Sequence, residues 1–305
     1  MQKYDDNYGA INNNKNCSGV FMDALSRLLM LNDPQGSIDQ NCLLSRDWQL
    51  PHAAGKLSVI RWHTVTLGSA LLEMPDGNTY TLRPGTVVIL PQNSAHRLCQ
   101  SGEEQTHIVC GSLQLQTSSR YFLTALPEVL LLAPGENSPV YHWLKAMIGL
   151  MQQESLSMLP GSNVVCSQQC ATLFTLAVRE WLSQAPPAKN VLNLLLHPRL
   201  GAVVFQMLES PAHPWSVEEL AQRAHMSRAS FAQLFREVSN STPLAVLTTL
   251  RLQFAAQMLS RGAQPLVVIA ESVGYASESS FHKVFLREFG CTPGEYRKRV
   301  KALES

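Results

Sequence analysis

Seven cysteines and several histidines carry most of the reactive chemistry in this 305-residue chain. The cysteines are Cys17, Cys42, Cys99, Cys110, Cys166, Cys170 and Cys291, an odd set with no C-x-x-C pair, so a structural zinc site is not expected. In a reducing compartment they begin as thiols, and a disulfide among them would be a regulated event rather than scaffolding. Thiolates are the soft nucleophiles that oxidants attack first, and the oxidised product condenses with a second thiol. Cys166 and Cys170 stand at i, i+4 in a helical stretch and share a face. That spacing suits a metal clip or a redox pair at a helix interface, while packing of two small side chains is the simpler reading. Cys99 and Cys291 carry no argument beyond general reactivity. His52, His63, His96 and His107 are candidate metal ligands.

A second kind of chemistry lies near the C-terminus, in a repeat. Ser230-Phe231-Ala232-Gln233-Leu234-Phe235, closed by Thr242-Pro243, returns as Ser280-Phe281-His282-Lys283-Val284-Phe285, closed by Thr292-Pro293, at an offset of fifty residues. Each copy follows a short apolar helix pattern, Val217–Ala221 and Val267–Glu271, and a turn, Ala224–Ser227 and Val273–Ser277, the second turn one residue longer. Two helices about a short turn, the second opened by a serine N-cap, are the ingredients of a DNA-reading helix-turn-helix. Phe231, Leu234, Phe235 and Val238 share one helical face, as do Phe281, Val284, Phe285 and Phe289, and both faces are expected to be core. The opposite faces present donors and acceptors suited to major-groove base edges. Gln233 suits adenine, Ala229 and Ala232 thymine methyls, and Arg228 and Arg236 phosphate or guanine. In the second copy Ser279, His282 and Lys283 are the base-side residues, and Arg287 lies nearer the backbone. Arg251 and Arg297-Lys298-Arg299 are further basic positions, though a charged terminal helix is often only a solvated face.

On these residues the stretch from about His197 to Val300 resembles the AraC/XylS family of bacterial transcription regulators. The resemblance implies two helix-turn-helix units joined by a long helix, here Pro243 to Leu259. It also implies promoter DNA and RNA polymerase as partners, a homodimer, and activation of transcription. Two units on one rigid helix would read successive major-groove faces about one turn apart.

Composition is compatible with this. The length supports two domains, and 45% hydrophobic with 15% charged residues describes a globular chain. No run approaches the roughly 18 apolar residues that span a bilayer, and no leader pattern opens the chain, so a cytoplasmic protein without membrane association is expected. From Pro198 onward 12 Lys and Arg face 9 Asp and Glu, against 12 and 14 before it, a mild asymmetry that fits specific DNA contact rather than a basic tail. The expected organisation is a disordered extension over residues 1–21, a sensor over 22–183, a proline-stiffened linker over 184–197, and a DNA-binding domain over 198–305.

In the sensor, alternating apolar runs broken by Pro and Gly predict strands at Leu57–His63, Gly68–Met74, Thr79–Arg83, Thr86–Leu90, Ala95–Cys99 and Ile108–Gln114. Arg83 to His96 resembles the second motif of cupins, with Asn93 where Gly is usual; Asn tolerates the left-handed turn required there. The fold class is therefore multi-domain α+β: an N-terminal cupin-like β-barrel with packing helices and a C-terminal all-α double helix-turn-helix. The packing helices fall within Val140–Gln184, split at Pro160-Gly161. One carries Trp143, Met147, Ile148 and Met151, the other Leu173, Leu176, Ala177, Val178 and Trp181, and they cover the barrel or form the dimer contact.

Three inputs remain open for such a sensor: a metal, a small organic ligand, or oxidation. A cupin metal centre needs H-x-H plus Glu in its first motif, but position 61 is Arg and only His63 remains, so no metal or other cofactor is expected. An enzyme is not expected for the same reason. The chain from Met22 onward further resembles a member of the family that responds to reactive chlorine species. That resemblance implies a sensing disulfide between Cys42 and Cys110, with His96 in support and detoxification genes as the output. Cys42 is expected before the first strand and Cys110 on the last, ends that jelly-roll closure brings together.

Overall fold

The computed structural model describes residues 22–32, 34–102, 105–115, 120–157, 159–184 and 191–304. The expected extension over 1–21, with Cys17, lies outside them, as do residues 185–190 of the expected linker. Helix α1 (Ala24–Asn32) opens the described chain. The strands that follow are β1 (Gln35–Leu44), β2 (Gln49–His52), β3 (Val59–Leu67), β4 (Ala70–Glu73), β5 (Thr79–Leu82), β6 (Val87–Leu90), β7 (His96–Gln100) and β8 (Thr106–Gln114). After β8 come a one-turn helix α2 (Arg120–Thr124) and β9 (Leu130–Leu132).

The strands pair antiparallel in two sheets, β1-β8-β3-β6-β9 and β2-β7-β4-β5. Val65, Val88, Leu90 and Ile108 of the first sheet meet Ala70, Leu72, Leu82 and Leu98 of the second in one buried cluster. The architecture is cupin-like, but the two sheets face one another without closing into the expected barrel; a bridge between Val65 and Pro84 links their margins. Six expected strands recur with small shifts, and β1, β2 and β9 are additional. This corrects the placement of Cys42: it lies within β1, an edge strand, rather than before the first strand. The turn between β6 and β7 behaves as its motif predicts, with Asn93 left-handed at φ 51°.

Helices α3 (Pro139–Ser157) and α4 (Ser162–Gln184) cover the outer face of the five-stranded sheet, where Leu173 and Phe174 join Trp62, Val87, Ile89 and Val109 in a core. Trp143, expected on the buried face of α3, is 47% exposed, and Leu144 takes that place at 0%. Cys166 and Cys170 are both buried on α4. Cys170 packs on β1, where a side chain at Gly36 would lie 2.1 Å from its Cβ.

The remaining chain is helical: α5 (Asn193–Leu196), α6 (Leu200–Glu209), α7 (Val217–Arg223), α8 (Arg228–Ser239), α9 (Pro243–Arg261), α10 (Leu266–Ser272), α11 (Glu278–Phe289) and α12 (Pro293–Glu304). At the two ends of the expected linker span, Gln184 ends α4, and Leu192 and Leu194 are buried in the helical core. The repeat appears as two copies of one construction. Ser227 and Ser277 cap α8 and α11 by accepting from Ser230 N and Ser280 N, each at 3.2 Å. Phe231 and Phe235, and Phe281 and Phe285, are fully buried. Asn240 and Gly290 end the two helices in the left-handed region, and Thr242 and Thr292 then accept from Ala245 N and Glu295 N, each at 3.3 Å.

The interhelical turns also match in conformation but not in residue type. His225 stands at φ 53° where the second copy has Gly274 at φ 85°. Left-handed backbone costs a residue bearing a Cβ about 1 kcal/mol. The variant His225→Gly should therefore raise the stability of the DNA-binding half by up to about 1 kcal/mol, read as a higher melting temperature. A lower melting temperature would show that the imidazole, not the backbone, governs that turn.

Candidate redox site and nucleic-acid interface

Register decides what faces the space between the sheets. In the β3–β8 ladder His63 stands opposite Cys110, and in the β1–β8 ladder Cys42 stands opposite Ile108 and Gln40 opposite Cys110. Directly opposed residues share a face and alternate residues along a strand repeat it. Cys42, Cys110 and His63 are therefore on the same inner face, with the two cysteines diagonal across neighbouring strands. From the other sheet, His52 and His96 stand opposite each other in the β2–β7 ladder. The rings of His52, His63 and His96 gather with centroids 4.6–5.0 Å apart. His107 does not join them. It lies on the opposite face of β8, with Nε2 2.8 Å from Asn41 Oδ1 and 2.9 Å from Gln152 Nε2.

The hydrogen-bond partners fix where the protons lie. Ser94 O can only accept, so the 2.8 Å contact from His96 Nδ1 places a proton on that nitrogen. Neutral His96 then presents a lone pair at Nε2, so His63 Nε2 donates to it across 2.8 Å. His63 Nδ1 is left as an acceptor, and the Cys110 thiol donates to it across 2.9 Å. The result is a chain from Cys110 through His63 and His96 to the Ser94 carbonyl.

Beside it, Arg61 donates from Nη1 to His52 Nδ1 at 2.7 Å and from Nε to Asn93 Oδ1 at 3.0 Å. Asn93 also donates from Nδ2 to Lys56 O at 3.1 Å, so this turn residue anchors the guanidinium.

Burial and the neighbouring charges keep the cluster uncharged. Burial pushes the Cys110 thiol up to about 12, with Cys42 and Asp39 adding to the shift and Arg61 opposing it. Burial holds His63 well below the ordinary histidine range, and His96, His52 and Arg61 depress it further. His96 is lowered chiefly by burial, against the bond to Ser94. His52 falls to about 4 through burial and then the charges of His96 and Arg61. Cys110 is buried, and Cys42 on the edge strand is half-buried.

The cupin fold implies a possible metal here, and the donor atoms of His52, His63 and His96 lie within 4.8 Å of one another. A metal-bound imidazole keeps a proton on its other nitrogen and donates it outward. His96 meets that condition through Ser94, but His52 does not, because its Nδ1 accepts from Arg61. The guanidinium occupies the first-motif position and brings a positive charge of its own. The residues do not fit a divalent cation in this arrangement. The space between the sheets is also filled by Leu72, Leu82, Val88, Leu90 and Leu98, all at 0% exposure.

On the helical half, Arg228, Ala229, Gln233 and Arg236 of α8, and Ser279, Lys283 and Arg287 of α11, are exposed, whereas Ala232 and His282 are half-buried at the margin of their helices. Arg228 pairs with Glu218 at 2.9 Å and Gln233 Nε2 donates to Glu237 Oε1 at 2.8 Å, contacts a DNA strand would compete for. Arg251 is a structural brace: Nε donates to Pro211 O at 2.7 Å and Nη2 to His213 O at 2.8 Å.

A family profile described as Cupin matches residues 23–183, and one described as Helix-turn-helix domain matches residues 220–299. The RCS-specific HTH-type transcriptional activator RclR of Escherichia coli is 70% identical over 282 residues, covering 92% of this chain and 99% of that protein. This chain belongs to the AraC/XylS family of transcription regulators. It therefore binds DNA through its paired helix-turn-helix units. The HTH-type transcriptional regulator AlkR of Acinetobacter baylyi is 29% identical, over 78% of this chain and 87% of its own. The solved structure of ToxT from Vibrio cholerae covers 88% of this chain and 98% of its own at 13% identity and a TM-score of 0.39.

The resemblance implied His96 in support of the thiols; the residue touching Cys110 is His63, with His96 one step behind. The roles of Arg61 and Asn93 were also missed, although the Arg in place of the first cupin histidine was the available signal.

Histidines held neutral in the fold take up protons once unfolded. Their contribution to stability is present above the ordinary value of 6.5 and is lost as pH falls from there toward about 4. Melting temperature should thus decline between pH 7 and pH 5, and His52→Asn should flatten that decline. A pH-independent melt over this range would contradict the neutral assignment.

Proposed function

We propose that this regulator is a cytoplasmic, homodimeric activator switched by oxidation of Cys42 and Cys110 by reactive chlorine species, with detoxification genes as its output. The observation that carries the reading is the placement of both thiols on one inner face of the β1–β8 ladder, with Cys110 hydrogen-bonded to His63. The name of the 70% identical relative, an RCS-specific transcriptional activator, supports the same input and an activating output. In this reading residues 22–183 sense, 184–197 connect, and 198–305 bind DNA.

The half-buried Cys42 is the first target. Its sulfur attacks the chlorine of hypochlorous acid, giving a sulfenyl chloride and water. The Cys110 sulfur then displaces chloride as its proton passes to His63 Nδ1. Two thiols and one hypochlorous acid thus yield one disulfide, water and hydrogen chloride. His63, braced by His96, is the base that makes a thiol with so high a pKa usable. Diagonal neighbours stand about 7–8 Å apart, while a disulfide needs Cα atoms at about 4.4–6.8 Å. Closing the bond must displace β1, and that displacement is the signal.

On DNA, Gln233, Ala229, Ala232, Ser279, His282 and Lys283 face bases, Arg228 and Arg236 face phosphates or guanine, and Arg287 lies nearer the backbone. Trp143, Leu150 and Val165 on the outer faces of α3 and α4 are exposed apolar residues available to a second copy. RNA polymerase is engaged beside the promoter.

Operator binding and in vitro transcription with hypochlorous acid titrated against the parent, Cys42→Ala and Cys110→Ala test the switch. The parent should respond and be reset by dithiothreitol, and both variants should be silent. His63→Gln should slow disulfide formation at least about tenfold. A full response in both cysteine variants would sink the thiol switch, and metal content and ligand binding would then be measured. Gln233→Ala and Lys283→Ala should each cost about 1–3 kcal/mol of specific binding. Parental affinity in both would show that the base-reading face lies elsewhere.

A further inference from the structure

Helix α1 precedes the sensor strands in sequence but packs on the helical half of the molecule. Leu25, Leu28, Leu29 and Leu31 are 6–8% exposed and share a core with Val204 and Leu208 of α6 and Leu250 of α9. Three polar contacts hold the same seam. Arg27 Nε pairs with Glu209 Oε1 at 2.9 Å, Gln257 Nε2 donates to Leu31 O at 3.1 Å, and the Arg27 guanidinium lies 5.9 Å from the centre of the Phe254 ring.

One residue in this seam is out of keeping. Gln253 of α9 is 3% exposed, and among the described residues neither its Oε1 nor its Nε2 has a hydrogen-bond partner. It borders a small enclosed cavity whose other nine lining residues are apolar, among them Leu28 of α1, Phe122 of α2 and Leu208 of α6. Burying an amide without partners is unfavourable, and water satisfies it once the seam opens. Gln253 therefore weakens the closed seam selectively, without loss to either half once they part.

The seam is mechanically close to the thiols. β1 begins at Gln35, just beyond the end of α1 at Asn32, and carries Cys42. Its first turn of chain is pinned to α4: Gly36 N donates to Ser167 Oγ at 3.0 Å, and Gly36 lies against Cys170. Only two residues separate α1 from β1, so a displacement that frees the start of β1 from α4 has little slack before it reaches α1.

We infer that α1 is a latch between sensor and DNA-binding domain, and that the unpartnered Gln253 keeps it close to release. The latched form is the resting state, and movement of β1 frees α1 from α6 and α9. The trigger rests on the thiol reading above; the latch itself does not.

The test is Gln253→Leu in the full-length chain, with Gln253→Glu as the opposite case. Amide hydrogen exchange across Leu25–Leu31 reads the latch directly. Gln253→Leu should slow that exchange at least severalfold, and Gln253→Glu, which buries a carboxylate, should speed it. In transcription assays Gln253→Leu should need severalfold more hypochlorous acid for the same activation, while its affinity for operator once activated stays parental. Unchanged or faster exchange in Gln253→Leu would overturn the latch whatever the oxidant does. If Gln253→Leu does not fold, unchanged or slower exchange in Gln253→Glu overturns it equally. A parent that ignores hypochlorous acid but shows the expected exchange in both variants would leave the latch standing and remove the thiol trigger.

Discussion

A single backbone carbonyl, that of Ser94, sets the protonation pattern of the whole sensor cluster. Because it can only accept, His96 carries its proton on Nδ1, His63 must donate to His96, and the remaining nitrogen of His63 must accept from Cys110. No other neutral arrangement satisfies all three contacts. The turn that presents this carbonyl is itself held by Asn93, whose side chain reaches both Lys56 and Arg61. Burial keeps the neighbouring imidazoles neutral, and the fixed positive charge of Arg61 adds to that effect. Backbone conformation at one turn thus propagates into the chemistry of a thiol on another strand.

The sensor separates reach from protection. Cys42 is on an edge strand and half-buried, where a small oxidant can meet it, while Cys110 is inside a ladder with a neighbour on each side. In the proposed switch, that placement sets the order of the two oxidation steps. The offset register adds a second property, because the two sulfurs share a face without standing opposite each other. A pair already in register could close with nothing moving and would carry no signal to the rest of the chain.

Helical periodicity made the C-terminal half legible: the buried phenylalanines, both serine caps and the closing Thr-Pro steps repeat at fifty residues because each copy solves the same packing problem. Asn93 was legible because few residue types tolerate its backbone. The edge strands were not. β1 reads QGSIDQNCLL, with polar residues on both faces, and β2 contains Pro51, so neither shows the alternation a central strand must have. The pairing of His63 with Cys110 spans 47 residues and depends on register, which no local pattern carries. Trp143 misled for a different reason: helical spacing marks a stripe, and its edge can fall on either side of the covered face.

The brace made by Arg251 bears on how the protein meets DNA. Arg251 gives its donors to the carbonyls of Pro211 and His213, and Arg297 Nη2 reaches the Gln264 carbonyl at 2.5 Å. Guanidinium groups engaged in this way hold helices together and are poorly placed to displace cations condensed on a phosphate chain. Fewer counterions are then released on binding than the number of basic residues implies, so affinity declines less steeply with added salt. A regulator of this build leans on groove contacts more than on charge, and its grip on non-cognate DNA is correspondingly light.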